Sequence, residues 1–191
     1  MISRERIEEI LKETDVLQTG HFQLTSGRHA DKYMQCAKIL QYPNHTGEVL
    51  KNVSKAFEDA KAEIVIAPAI GGILVAYELA RQLNIKNLFA EREDGKMTLR
   101  RGFSIPEGAR VIVAEDVITT GGTVFEIIDL VKAQGGIPVG VGLIVDRSGG
   151  KIDFGIPTYA AYTAEIISYE AGECPLCKQG IPVVKPGSRK L

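Results

Sequence analysis

The apolar residues of this chain change rhythm near residue 63, and the change separates an N-terminal part from an α/β part. Ile7, Ile10 and Leu11 recur at helical spacing behind Ser3, a residue suited to cap a helix, so residues 3–14 predict a short amphipathic helix. His21–Thr25 and Lys32–Cys36 flank the turn-like Ser26-Gly27-Arg28 and predict two short strands around a polar loop. Leu50, Val53, Ala56, Phe57 and Ala60 return to helical spacing and predict a helix over residues 46–60.

From Glu63 onward the apolar residues come in continuous runs. Ile64–Ala67 ends at Pro68, Leu88–Ala90 is a second run, Val111–Ala114 a third and Val139–Val145 a fourth. Helical segments, Ile73–Leu83 and Val124–Gln134, lie after the first and third runs, the latter closed by Gly135-Gly136. Uninterrupted apolar strands alternating with helices imply a parallel sheet covered on both faces. The fold class is α/β. Residues 92–108 break the pattern, being too polar for core and long for a connection, which suggests a lid or binding loop. The proline- and glycine-bearing stretch 173–191 reads as an irregular extension.

With 191 residues the chain fits one domain. Its expected division is a small hood from residues 1–40 and the tail, over a core of about residues 45–165. Lys and Arg number 23 against 24 Asp and Glu, a net charge of -1, which argues against nucleic-acid coating or polybasic membrane binding. The first residues are charged, and the longest uncharged run, Ile64–Tyr77, is shorter than the ~20 residues of a membrane helix. Cys36, Cys174 and Cys177 form no even disulfide framework and suit a reducing compartment. The expectation is a soluble, cytoplasmic protein. Cys174 and Cys177 give two of the four ligands a structural zinc needs, while Cys36, His21, His29 and His45 stand far off in the chain. The expected reading of this segment is therefore a packed tail turn without metal.

The chemistry concentrates in Val111–Thr123. An apolar strand ends in Glu115 and Asp116, then Val117-Ile118-Thr119-Thr120-Gly121-Gly122-Thr123 turns into a helix. Ligands of open α/β sheets bind at the carboxyl ends of strands, so both acids are aimed at a ligand. Gly121, Gly122, the helix N-terminus and the hydroxyls of Thr119, Thr120 and Thr123 suit a phosphate. Carboxylates beside an anion cradle make sense when the ligand carries hydroxyls next to its phosphate. A ribose 5-phosphate meets both demands.

This segment resembles the phosphoribosyl pyrophosphate (PRPP) motif of the type I phosphoribosyltransferases. Leu24-Thr25-Ser26-Gly27-Arg28, Glu91–Phe103, Ile66–Ile73 and Val145-Asp146-Arg147-Ser148 further resemble the orotate phosphoribosyltransferases within that family. The resemblance implies a parallel sheet flanked by helices with an N-terminal hood, and transfer of a phosphoribosyl group from PRPP to orotate in pyrimidine synthesis. It implies that Glu115 and Asp116 hold the ribose hydroxyls and that Thr119–Thr123 hold the 5′-phosphate, with Thr119 also near the base. Arg147 and Arg28 would meet orotate. Arg92 and Lys96 would meet pyrophosphate, Lys96 reaching the neighbouring subunit of a homodimer through the shared loop 92–103. Mg²⁺ would be carried mainly by PRPP oxygens, with no protein metal cage. Thr25, Gly71 and Glu93 stand where relatives often carry lysine, so cationic contacts are missing here, and the N–H groups of Gly71 and Gly72 are candidates to replace one. A purine phosphoribosyltransferase or a PRPP-binding regulator of the same fold are the alternatives. The first lacks the Ser-Gly-Arg segment and Asp-Arg pair, and the near-zero net charge disfavours the second. No G-x-G-x-x-G follows a strand, so a Rossmann dehydrogenase is not supported.

Overall fold

The computed structural model describes residues 1–24, 26–164 and 166–186. Helix α1, Arg4–Glu13, starts where the Ser3 hydroxyl accepts the Arg6 N–H (3.2 Å), and it buries Ile7, Ile10 and Leu11. Strands β1, Leu17–Gln23, and β2, His29–Met34, pair antiparallel. Both lie a few residues earlier than expected, because their registered pairs include polar residues that alternation does not reveal, such as Gln23 opposite His29. Thr25 lies outside the described residues. A 3₁₀ turn, Cys36–Gln41, leads to α2, Pro43–Ala56, which begins before the predicted residue 46 because Pro43 opens its first turn.

The remaining elements alternate. They are β3 (Ile64–Pro68), α3 (Gly71–Leu83), β4 (Lys86–Glu93), β5 (Lys96–Leu99), β6 (Arg110–Ile118), α4 (Gly122–Ala133), β7 (Ile137–Asp146) and β8 (Thr158–Thr163). They form a six-stranded sheet in the order β5-β4-β3-β6-β7-β8, parallel except for β5. Side chains alternate across it. Val65, Ala67, Ile112 and Ile144 face a core shared with α1, α2 and α3, whereas Ile64, Ile66, Val113 and Leu143 face α4. Burial on both faces is the reason the strands read as unbroken apolar runs.

Three expectations are corrected. Residues 92–108 are not a plain loop. They begin with the hairpin β4–β5, in which Arg92 pairs with Met97 and Glu93 with Lys96. The tail is not wholly irregular. After β9, Ser168–Tyr169, which adds a third strand beside β2, it forms the short helix α5, Pro175–Lys178. Val184 then bridges to Phe22 on β1, while Gly187 lies outside the described residues. The separation of histidines and tail cysteines is likewise overturned, since His21 and His29 pack against Cys174 and Cys177. Among the described residues no helix is long and apolar enough to cross a membrane.

Candidate active site

Strand β6 lies between β3 and β7 and runs past both acids to Ile118, with Glu115 in register with Leu143, so the strand does not end at Glu115 and Asp116 as the apolar run suggested. Glu115 is only 9% exposed. Its Oε1 accepts the Asp116 N–H (3.1 Å), and Asp116 Oδ1 accepts the Val117 N–H (2.9 Å). Burial pushes both carboxyls above their ordinary range, and the neighbouring Asp116 charge adds to the rise at Glu115, which reaches about 8.

The turn from β3 into α3 presses on this pair. A Cβ at Gly71 would lie 2.8 Å from Asp116 Oδ2, and one at Gly72 would lie 2.9 Å from Ala67 Cβ and 3.0 Å from Glu115 Oε1. Close approach therefore explains both glycines, a packing role beyond the backbone donation expected from the sequence.

Beyond Asp116 the chain curls into the start of α4. Gly121 has φ +74°, the left-handed region that favours glycine, and no side chain caps the helix. First-turn N–H groups of a helix lack intrahelical partners, so this uncapped end suits an anion. A cavity of about 80 Å³ sits here, lined by Glu115 and residues 117–124. The run Val117, Ile118, Thr119, Thr120, Gly121, Gly122 and Thr123 is thus gathered around one small hollow, as the motif predicts. A hollow of about 710 Å³ between α2 and α3 is larger, yet it faces no strand end and its Arg81 is paired to Glu78.

Strand β7 ends beside this cradle, because the Arg147 N–H donates to the Ile118 carbonyl (2.9 Å). Asp146 is buried and spends its carboxylate on the N–H groups of Ser148 (2.7 Å) and Gly150 (2.9 Å). The acid therefore shapes the turn instead of neutralising its neighbour. Arg147 Nε is buried with no hydrogen-bond partner among the described residues. A guanidinium left in that state invites a ligand acceptor.

The predicted cations Arg28, Arg92 and Lys96, and Arg100 and Arg101 near them in the chain, do not line the cradle. Arg92 pairs with Glu126 on α4 (2.9 Å), Arg100 with Glu93 (3.5 Å) and Arg101 with Glu91 (2.8 Å). Lys96 is exposed at the hairpin and forms no ion pair among the described residues. Arg28 is held in the hood, where Nε donates to Ser168 Oγ (2.9 Å), Nη2 donates to the Ser168 carbonyl (2.6 Å), and Nη1 pairs with Glu170. Ser168 and Glu170 carried no sequence signal, because they follow the core pattern in a short irregular stretch.

The family of phosphoribosyl transferase domains matches residues 36–154. An orotate phosphoribosyltransferase of Caldanaerobacter subterraneus subsp. tengcongensis is 55% identical over 190 residues, 100% of both chains. One from Caldicellulosiruptor bescii is 56% identical over 182 residues, 95% of this chain and 96% of its own. Among solved structures, the orotate phosphoribosyltransferase from Aeropyrum pernix is similar at TM-score 0.70 and 24% identity, over 82% of this chain and 93% of its own, a likeness of fold.

Proposed function

This chain belongs to the phosphoribosyltransferase family as an orotate phosphoribosyltransferase of pyrimidine synthesis, and from that premise we propose how its residues divide the work. The observation that carries the proposal is buried Glu115 beside half-buried Asp116, the two pressed against Gly71-Gly72 at the mouth of an uncapped helix cradle. Two acids beside an anion site fit a ligand with adjacent hydroxyls and a phosphate.

The transfer breaks the bond between ribose C1 and pyrophosphate. Positive charge grows on the ribose ring and negative charge on the leaving group. Glu115, held protonated toward about pH 8 in the ligand-free protein, and Asp116 accept hydrogen bonds from the 2′- and 3′-hydroxyls and lie against the developing cation, whose charge favours their ionised forms. Thr119–Thr123 and the first N–H groups of α4 hold the 5′-phosphate, which fixes C1 in line with the incoming nitrogen. Arg147, its Nε without a partner among the described residues, takes the orotate carboxylate or ring carbonyls. Thr119 stands at the same strand end and contacts the base from the cradle side. Arg28 closes the orotate side from the hood once it exchanges part of its grip on Ser168 and Glu170.

Mg²⁺ suits this site, since oxygen ligands dominate it. With only the two acids at the strand end, PRPP oxygens would supply most of its coordination, and the ion would neutralise the leaving pyrophosphate.

Lys96 acts on pyrophosphate across a symmetric homodimer. Arg92, Arg100 and Arg101 of this segment are paired within the chain, whereas Lys96 has no ion pair among the described residues. Ile70, Leu74 and Tyr77 form an exposed apolar stripe at helical spacing on and before α3, a surface suited to a second copy. A cytoplasmic location accords with three free thiols.

A substrate panel tests the reading. With Mg²⁺ and PRPP, pyrophosphate is released on adding orotate and not on adding uracil, adenine or hypoxanthine. Release with a purine but not with orotate overturns it.

A further inference from the structure

We propose that the hood holds a structural zinc ion bound by His21, His29, Cys174 and Cys177. Their ligand atoms all lie within 4.8 Å of one another, although β1, β2 and the tail bring them from three separate parts of the chain. The segment expected to be a bare tail turn thus supplies half of a four-ligand set.

The geometry fits tetrahedral zinc. Bonds of about 2.0–2.1 Å to nitrogen and 2.3 Å to sulfur place neighbouring N and S ligands about 3.6 Å apart. His21 Nε2 lies 3.5 Å from Cys174 Sγ and 3.6 Å from Cys177 Sγ, and His29 Nδ1 lies 3.3 Å from Cys177 Sγ. The two ring nitrogens stand 2.8 Å apart, so an ion entering between them spreads them by about half an ångström.

A second observation fixes the state of the ligands. His21 Nδ1 lies 2.7 Å from the Ile181 carbonyl, which only accepts, so that nitrogen carries the proton. Its Nε2 then presents a lone pair toward His29 Nδ1 and both sulfurs. One lone pair cannot satisfy three such neighbours, whereas a single cation satisfies all four groups. The carbonyl also orients the ring in the way that outer partners orient metal-bound histidines.

Burial completes the case. Cys174 is 0% exposed, His21 3% and His29 6%, while exposed Cys177 leaves an entry path. Two soft thiolates and two imidazoles favour zinc over hard cations. Binding releases the two thiol protons to solvent, and four protein ligands leave no open position, which marks the ion as structural. The hood gains from such a fastening, because its third strand has only two residues and, among the described residues, the tail meets β1 in a single isolated β-bridge, Phe22 to Val184, beside the His21–Ile181 bond.

The test begins with untagged protein purified under reducing conditions without chelator or added metal. Elemental analysis should find about one zinc per chain, falling at least ~10-fold in Cys177→Ser and in His29→Gln after dialysis. Chelation should lower Tm by ~5 °C or more, with Zn²⁺ but not Mg²⁺ restoring it. Should the variants fold poorly, titrating Co²⁺ into chelated wild type should give the intense visible bands of tetrahedral cobalt with thiolate charge transfer. Wild type that is folded, reduced, free of zinc and silent toward Co²⁺ overturns the proposal. So does zinc retained undiminished in Cys177→Ser, or a Cys174–Cys177 disulfide in the purified protein.

Discussion

Asp116 is a carboxylate that water would solvate freely, yet the fold lodges it between a strand end and the backbone of Gly71. Such placement is what electrostatic catalysis requires, because the charge is oriented before the reaction begins. Asp116→Asn should lower kcat by ~10²–10³-fold with little change in Tm, measured by pyrophosphate release and thermal unfolding. Glu115 gives a pH signature. Its folded pKa lies above its unfolded value, so the protonated group stabilises the ligand-free protein below the ordinary carboxylate pKa. That contribution is lost as pH rises toward about 8. Scanning fluorimetry without ligands should show wild-type Tm falling between pH ~5 and ~8, and Glu115→Gln should flatten that fall. Arg147→Ala should raise the orotate KM by ~10–100-fold and leave PRPP affinity nearly intact, as measured by steady-state kinetics and PRPP titration. A loss of PRPP affinity instead would move Arg147 to the phosphate side. At this scale Glu115 and Asp116 were legible because they follow an apolar strand directly. The Nε of Arg147, buried without a partner among the described residues, was not, since only the folded turn shows Asp146 engaged with Ser148 and Gly150.

The element that builds the cradle is the β6–α4 junction, and Gly121 is its pivot. Its left-handed backbone disfavours any Cβ by about 1 kcal/mol or more, and an added Cβ would sit 2.9 Å from the Phe154 ring. Gly121→Ala should therefore both lower stability by ~1–3 kcal/mol in denaturant titrations and raise the PRPP KM. Unchanged values of both would remove the turn from the phosphate site. Strand–turn–helix order was legible here because every contact is local. The β4–β5 hairpin was harder to see. Its residues alternate poorly, and Glu93, Arg100, Glu91 and Arg101 look like solvated surface until the pairing in space is known.

On the scale of the whole molecule, the proposed homodimer would bring the exposed Lys96 of one chain to the cradle of the other. Lys96→Ala and Asp116→Asn, each nearly inactive alone, should recover about a quarter of wild-type activity when unfolded and refolded together in equal amounts. Half the dimers are then mixed, and each has one site with both intact residues. No recovery means that both groups act within one chain. The sequence by itself determined the α/β class, the parallel core and the acid–glycine–threonine order of the cradle, because these depend on period and on neighbours a few residues apart. Even the glycines of the α3 turn stood out. Tertiary structure alone decided that Arg28 grips Ser168 and Glu170, and that His21 meets Cys174, 153 positions away. Contacts between short irregular segments leave no periodic trace in the chain. They arise only when β9 and the tail pair back onto the hood, where burial and the closing of long loops, rather than local propensity, select the partners.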